Sequence, residues 1–95
     1  LAKRFLTLRE QATLGNLDPD ARRQRFLRHW TCKEAMSKAT GDGLAAPFGR
    51  LDVGLSDPPR LLDGPAPYLP ERWTLRPAVL PEEWLATIAI WRGPP

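Results

Sequence analysis

The sequence predicts an α+β fold in which one long helix packs on a small antiparallel sheet. Helical patterns fill the chain as far as Gly41, and strand patterns separated by proline-rich turns follow Gly43. Helices first and strands afterwards are typical of α+β domains with an antiparallel sheet. The chain has 95 residues. That is enough for one domain with a modest core, because a chain of this size buries only a little over ~60% of its unfolded surface.

Local capping signals define the first two helices. The first helix ends near Phe5. Thr7 and Glu10 then have the spacing of the N-cap and N3 residues of a capping box, so a short second helix begins there. We expect Leu14 to face inward and Gly15 to end this helix.

The third helix is long and has clear signals at both ends. Asp18 is the expected N-cap residue, and Pro19 takes the first helical position. The pattern predicts a helix from about Pro19 to Ala39, which Gly41 ends.

Three ring-bearing side chains lie in the middle of this helix. Phe26 and Trp30 are one turn apart, and we expect both in the core. His29 is the only histidine. No second ligand stands at metal-binding spacing from it, so the sequence predicts a surface or partly buried side chain rather than a metal ligand.

Four segments after Gly43 have strand character, and they are residues 51–56, 60–62, 72–75 and 84–91. The last is the most strand-like and has Ile88 and Ile90 on one face. Pro67 and Pro70 satisfy a PxxP pattern, but such prolines inside a small domain indicate a loop more often than a ligand for another protein.

Composition narrows the possible functions and locations. The net charge is +3 and the isoelectric point is about 9.6, which favours an acidic or phosphorylated partner. The single Cys32 excludes an internal disulfide and a multi-cysteine zinc site, and it fits a reducing compartment such as the cytoplasm.

No apolar run approaches the ~18 residues of a membrane span, and no signal peptide is recognisable. Because the chain begins at Leu1 rather than Met, we expect a piece of a longer protein.

The segment from Trp30 to Leu44, which reads WTCKEAMSKATGDGL, places charge where a helix would otherwise bury apolar groups. Helical spacing aligns one stripe, consisting of Leu27, Trp30, Thr31, Glu34 and Lys38. A carboxylate at the edge of a core stripe is costly unless a metal ion or a phosphate-bearing ligand satisfies it. Alternatively, Glu34 and Lys38 form an ordinary i,i+4 surface pair, worth roughly 0.2–0.5 kcal/mol.

This segment resembles a known signature. The matching residues are Trp30, Thr31, Lys33, Glu34, Ala35, Lys38, Ala39, Gly41, Gly43 and Leu44, preceded by Ala2, Lys3, Arg4, Phe5 and Glu10. Together they resemble the 4′-phosphopantetheinyl transferases of the larger, single-chain, surfactin-synthetase-activating type. The resemblance covers nearly all of this chain but only the C-terminal half of a typical member. It implies one half of the pseudo-twofold fold of that family, with the N-terminal half absent.

The resemblance also implies an activity, cofactors and partners. Members transfer the 4′-phosphopantetheine arm of coenzyme A to a serine of an acyl or peptidyl carrier protein, with Mg²⁺, and release adenosine 3′,5′-bisphosphate. The resemblance implies no nucleic-acid or membrane partner, and a monomer at full length. The segment after Gly41, as far as Leu55, would lie near the carrier protein.

Four residues receive roles from the resemblance. Glu34 would be a metal ligand, and Lys38 would hold the pyrophosphate as a catalytic and cofactor-binding residue. Lys33 would be a second phosphate contact. Glu10 would be the catalytic general base. Its capping role can coexist with this, because a partly exposed carboxylate keeps a free oxygen.

One departure from the family pattern leaves alternatives open. The other metal ligands of the family come from an upstream Gly-x-Asp-x-Glu strand, which this sequence lacks, so we expect the isolated chain to be inactive. The alternative function is a non-catalytic basic module that docks an acidic partner through the arginines of the third helix, Arg22, Arg23, Arg25 and Arg28. A basic nucleic-acid binder is a weaker interpretation, because no groove-reading or stacking motif is present.

Overall fold

The structure is a computed structural model that describes residues 2–78 and 86–93. Three helices come first: α1 (Ala2–Phe5), α2 (Leu8–Leu14) and α3 (Pro19–Thr40). Four strands follow: β1 (Asp52–Gly54), β2 (Arg60–Asp63), β3 (Trp73–Pro77) and β4 (Thr87–Trp91). This order confirms the predicted α+β class.

The predicted helix ends are confirmed. Thr7 caps α2 in a complete capping box with Glu10. The side chain of Asp18 accepts a hydrogen bond from the backbone of Ala21 at the start of α3. Gly41 ends α3 in the left-handed conformation with φ of 85°, which favours glycine because it has no Cβ.

The strands form two small antiparallel sheets rather than the single sheet that the sequence predicted. β1 pairs with β2, and β3 pairs with β4 with Trp73 opposite Trp91. β2 and β3 contact each other but are not joined by a ladder of hydrogen bonds. Residues 64–72 join them, a connection longer than the about two to five residues of a tight hairpin, so it does not hold the two strands in register.

The core lies between α3 and the two sheets. Its members are buried apolar or aromatic side chains from both halves of the chain: Cys32, Met36, Ala46, Phe48, Leu51, Val53, Leu61, Tyr68, Trp73 and Leu75. The Trp73 ring stacks between Tyr68 and Trp91, with ring centroids 5.6 and 5.7 Å apart. These rings join β3, β4 and the proline-rich loop into one layer.

The buried face of α3 is not the stripe that the sequence predicted. The buried residues are His29, Cys32, Lys33, Met36 and Ser37, whereas Trp30 and Glu34 are half-buried and Lys38 is exposed. The expectations of a core-facing stripe and of a surface or partly buried histidine were therefore wrong. Apolar periodicity misses this face because three of its five residues are polar.

Phe26 and Trp30 are only half-buried, so their prediction as core residues was also wrong. Trp30 instead belongs to an aromatic cluster, with its ring centroid 4.8 Å from Phe5 and 5.8 Å from Phe48. This cluster attaches α1 to the flank of α3.

The last strand presents an apolar face to solvent. Ile88 and Ile90 share one face, as predicted, and they are 51% and 46% exposed. The first residues of the predicted strand, including Trp84, lie outside the described residues. Among the helices of the described part of the chain, none combines the length and the hydropathy of a membrane span.

Candidate functional site

Two groups of charged side chains arise from the same stretch of α3. We call Glu10, His29 and Lys33 the buried cluster, and Glu34 with Lys38 the exposed pair. Lys33 and Glu34 are neighbours in sequence, but successive helical residues point about 100° apart. One therefore faces the protein interior and the other faces outward.

Lys33 of the buried cluster uses all three of its N–H donors inside the protein. Its Nζ donates to Glu10 Oε1 at 2.5 Å, to the carbonyl of Phe5 at 2.6 Å and to the carbonyl of Phe48 at 2.9 Å. The side chain is fully buried. Burial lowers the pKa of Lys33, and the Glu10 carboxylate opposes that effect. A phosphate contact would require Lys33 to give up one of these acceptors.

Glu10 likewise uses both of its carboxylate oxygens. Oε1 accepts from the Thr7 backbone at 2.8 Å as well as from Lys33, and Oε2 accepts from the Val53 backbone at 2.7 Å. The residue is fully buried. The expectation that this carboxylate is partly exposed and keeps a free oxygen was wrong. The capping box does not predict the second donor, which is the backbone N–H of Val53 in β1.

The surroundings of Glu10 make it a weak base. Burial alone would raise its pKa, but the adjacent His29 ring, the Lys33 ammonium and the two backbone N–H groups outweigh burial and lower the pKa to about 2. Such a carboxylate accepts a proton poorly at neutral pH. Its assignment as general base stays a prediction.

His29 completes the buried cluster, and the sequence did not predict this position for it. Its ring is 2% exposed, and Nδ1 lies 3.3 Å from Glu10 Oε2. Nδ1 is near enough to help lower the pKa of Glu10 although its alignment falls short of a hydrogen bond, and Nε2 has no hydrogen-bond partner among the described residues. The only sequence signal was its position one helical turn before Lys33, on the same face of α3.

The exposed pair borders an open cavity. Lys38 Nζ lies 3.0 Å from Glu34 Oε1, and the two side chains are 74% and 40% exposed. A cavity of about 330 Å³ beside them is lined by Trp30, Thr31, Glu34, Ala35, Lys38, Ala86 and Thr87. A ligand can therefore reach both charges without any rearrangement of the core.

Glu34 fits a divalent cation as one ligand of a larger set. It offers a solvent-accessible carboxylate, the ligand type that Mg²⁺ prefers. Within residues 2–78 and 86–93, no three His, Cys, Asp or Glu side chains come together to hold a metal. Asp42, the nearest acidic residue along the chain, accepts a hydrogen bond from Tyr68 instead.

The arginines of α3 differ in their hydrogen bonds and in their exposure to solvent. Arg22 donates to the carbonyls of Leu14 and Leu17 at 3.3 and 2.9 Å, so it joins α3 to the end of α2. Arg22, Arg23 and Arg28 are exposed, and Arg25 is half-buried. Arg23 and Arg28 are therefore the exposed arginines of α3 that form no side-chain hydrogen bond with the described residues.

The family model of the 4′-phosphopantetheinyl transferase superfamily matches residues 1–89. The chain belongs to this superfamily. Among curated proteins, the chain is similar to 4′-phosphopantetheinyl transferase HetI of Nostoc sp. (strain PCC 7120), with 37% identity over 92 residues. It is also similar to slr0495 of Synechocystis sp. (strain PCC 6803), which is named provisionally for the same activity, with 44% identity over 45 residues. No solved structure matches the chain.

The two relatives are much longer than the matched regions. The match to HetI covers 95% of this chain and 36% of HetI. The match to slr0495 covers 47% of this chain and 18% of that protein. The resemblance inferred from the segment Trp30–Leu44 is confirmed at the level of the superfamily.

Proposed function

We propose that the full-length protein transfers the 4′-phosphopantetheine arm of coenzyme A to a serine of an acyl or peptidyl carrier protein. Adenosine 3′,5′-bisphosphate is the second product. The observation that carries this proposal is the exposed pair, because Glu34 and Lys38 stand partly or largely in solvent beside a cavity. Membership of the superfamily and the name of HetI support it.

The chemistry needs charge neutralisation more than covalent help. The serine hydroxyl gives its proton to a base, for which the family pattern indicates Glu10, and its oxygen forms a bond to the β-phosphorus. The bond between that phosphorus and the bridging oxygen breaks, so the bisphosphate leaves with the bridging oxygen. Lys38 suits the role of holding the pyrophosphate, because an exposed ammonium is a mobile point charge. Mg²⁺, when bound with Glu34 as one ligand, would neutralise charge on the phosphates.

The buried cluster has a different part in this proposal. Glu10 is the residue that the family pattern indicates as proton acceptor for the serine. In this fold it would first have to be released from Lys33 and Val53. We infer that Glu10 and Lys33 chiefly hold the elements around the exposed pair in place, and that Lys33 contacts phosphate only if the cluster opens.

Substitution of Glu34 in the full-length protein tests the proposal. Glu34→Gln should lower Mg²⁺-dependent carrier-protein labelling by about 10²-fold or more, since a catalytic metal is worth several kcal/mol. Its thermal unfolding should be nearly unchanged. Glu71→Gln, an exposed carboxylate outside the cavity, is the matched control and should leave labelling intact. Full activity in Glu34→Gln would contradict the role of the exposed pair.

The isolated 95-residue chain should not catalyse transfer. Within the part of the chain that the structure describes, no group of three candidate ligands forms around Glu34, and one carboxylate holds Mg²⁺ weakly. Labelling of a carrier protein should be detected with the full-length protein and not with the purified chain. Activity of the chain at full-length levels would overturn this expectation.

A second function is favoured by the exposed arginines Arg23 and Arg28 of α3. A non-catalytic basic module would bind an acidic partner without transferring anything to it, and its binding would weaken steeply with salt. Salt-sensitive binding without labelling would favour this module over the transferase. For either function we propose a cytoplasmic location, where the buried thiol of Cys32 stays reduced.

A further inference from the structure

A buried tyrosine hydroxyl joins the proline-rich loop to the end of α3. Tyr68 is 1% exposed, and its hydroxyl donates to Asp42 Oδ2 at 2.6 Å. The same hydroxyl lies 2.8 Å from Thr40 Oγ1. The one proton of the Thr40 hydroxyl points to Tyr68 or to the Ser37 carbonyl 3.2 Å away, and Thr40 Oγ1 accepts from the Asp42 backbone at 3.2 Å. One side chain from the loop therefore anchors the last turn of the helix and the residue after Gly41.

The tyrosine itself is held firmly. Its ring stacks on Trp73 with the ring planes 12° apart. Its backbone packs against Gly64, where a Cβ atom would come within 2.7 Å of the Tyr68 carbonyl oxygen. Burial and the Asp42 carboxylate raise the pKa of Tyr68 to about 12, so the hydroxyl remains a donor at neutral pH.

The turn that Tyr68 anchors, the last turn of α3, contains Lys38. The Gly41 backbone donates to the carbonyls of Ser37 and Lys38 at 3.1 and 3.3 Å. The last carbonyls of a helix lack intrahelical partners, so an unsupported last turn frays. Fraying here would move Lys38 relative to Glu34, which lies one turn earlier.

Packing alone does not account for the hydroxyl of Tyr68. A phenylalanine ring could stack on Trp73 equally well, whereas both polar contacts of the hydroxyl reach the end of α3. We propose that Tyr68 is a positioning residue for the transfer reaction, which acts through Thr40 and Asp42 to fix the helical turn that carries Lys38. This inference rests on the proposed function.

Tyr68→Phe in the full-length protein is the central test. We expect kcat/KM for coenzyme A to fall about tenfold, because small misplacements of a positioning group are costly. The melting temperature should fall by only a few degrees. Leu61→Val, a buried substitution in β2 away from the exposed pair, is the control for destabilisation and should leave kcat/KM unchanged.

Asp42 provides the conservative variants. Asp42→Asn keeps an oxygen acceptor for the Tyr68 hydroxyl and should retain most of kcat/KM. Asp42→Ala should lose about as much as Tyr68→Phe, and the double variant should lose little more, because both changes remove the same contact.

The outcomes separate this inference from the proposed function. If the unaltered protein labels the carrier and Tyr68→Phe behaves like Leu61→Val, the positioning role alone is overturned. If the effects of Tyr68→Phe and Asp42→Ala multiply independently, the positioning role is also overturned. If the unaltered full-length protein transfers nothing to any carrier protein, the proposed function fails and takes this inference with it.

Discussion

The buried cluster and the exposed pair each contain a glutamate and a lysine, yet their surroundings differ completely. Lys33 is fully buried and has three acceptors, whereas Lys38 is 74% exposed and lies beside one carboxylate. Glu10 has a donor on each oxygen, while Glu34 opens onto a cavity. A lysine whose donors are all satisfied inside the protein has none left for a substrate.

This difference shows that a family signature can combine residues that support the fold with residues that face solvent. The sequence Lys33-Glu34 contributes its first charge to the fold and its second to solvent, because neighbouring helical positions point to different faces. The family resemblance implies a role in the chemistry for both Lys33 and Glu34. We propose a chemical role for Glu34 and Lys38, because both side chains are solvent-accessible beside a cavity.

The largest expected effect is on stability, in the buried cluster. Lys33→Met should lower the free energy of unfolding by about 3–5 kcal/mol, because Glu10 would remain ionised and buried without its ammonium partner. Urea unfolding of the variant and the unaltered protein measures this loss. The matched variant Lys38→Met should lose no more than about 0.5 kcal/mol. Equal losses in the two variants would remove the contrast between the clusters.

A double variant sharpens the same contrast. Glu10→Gln combined with Lys33→Met removes both charges, so the uncompensated carboxylate disappears. The double variant should therefore be more stable than the sum of the single losses predicts, by about 1–3 kcal/mol. Strict additivity in urea unfolding would show that Glu10 and Lys33 do not depend on each other.

Acid should weaken the fold through Glu10. Its pKa is about 2 in the fold and 4.5 for an unperturbed carboxyl. Because the folded pKa is the lower one, ionised Glu10 contributes stability above pH 4.5, and this contribution is lost as pH falls from 4.5 through about 2. The loss is on the order of 3 kcal/mol. Unfolding measured at several pH values should show it, and Glu10→Gln should flatten the profile in that window.

The smallest expected effect belongs to the exposed pair. Glu34→Gln should change the free energy of unfolding by less than about 0.5 kcal/mol, because an i,i+4 pair in solvent is worth roughly that much. Calorimetry at low and high salt checks this. A loss above about 1.5 kcal/mol would mean that Glu34 supports the fold as Glu10 does.

Local signals in the sequence predicted most of the helical framework. The capping box at Thr7 and Glu10, the N-cap Asp18 and the left-handed Gly41 act within four residues, so a linear reading finds them. The α+β class and the positions of the strands followed from the change of period after Gly43.

Contacts between distant segments were beyond the reach of the sequence. Lys33 meets Glu10 from 23 residues away, and Tyr68 meets Asp42 from 26 residues away. Polar residues on the buried face of α3 look like surface residues until their partners are known. The sequence motif identified Glu34 and Lys38 as a pair. Their expected place at the edge of the core was wrong, because it depended on which face of α3 is buried.

The carboxylate of Glu10 links segments that must separate when the domain unfolds. Through its own bonds and those of Lys33 it connects α1, the start of α2, the middle of α3, the turn at Phe48 and β1. Separation of any one of these segments would leave a charge or a carbonyl without a partner in the interior. We therefore expect these segments to exchange their amide hydrogens as one cooperative unit.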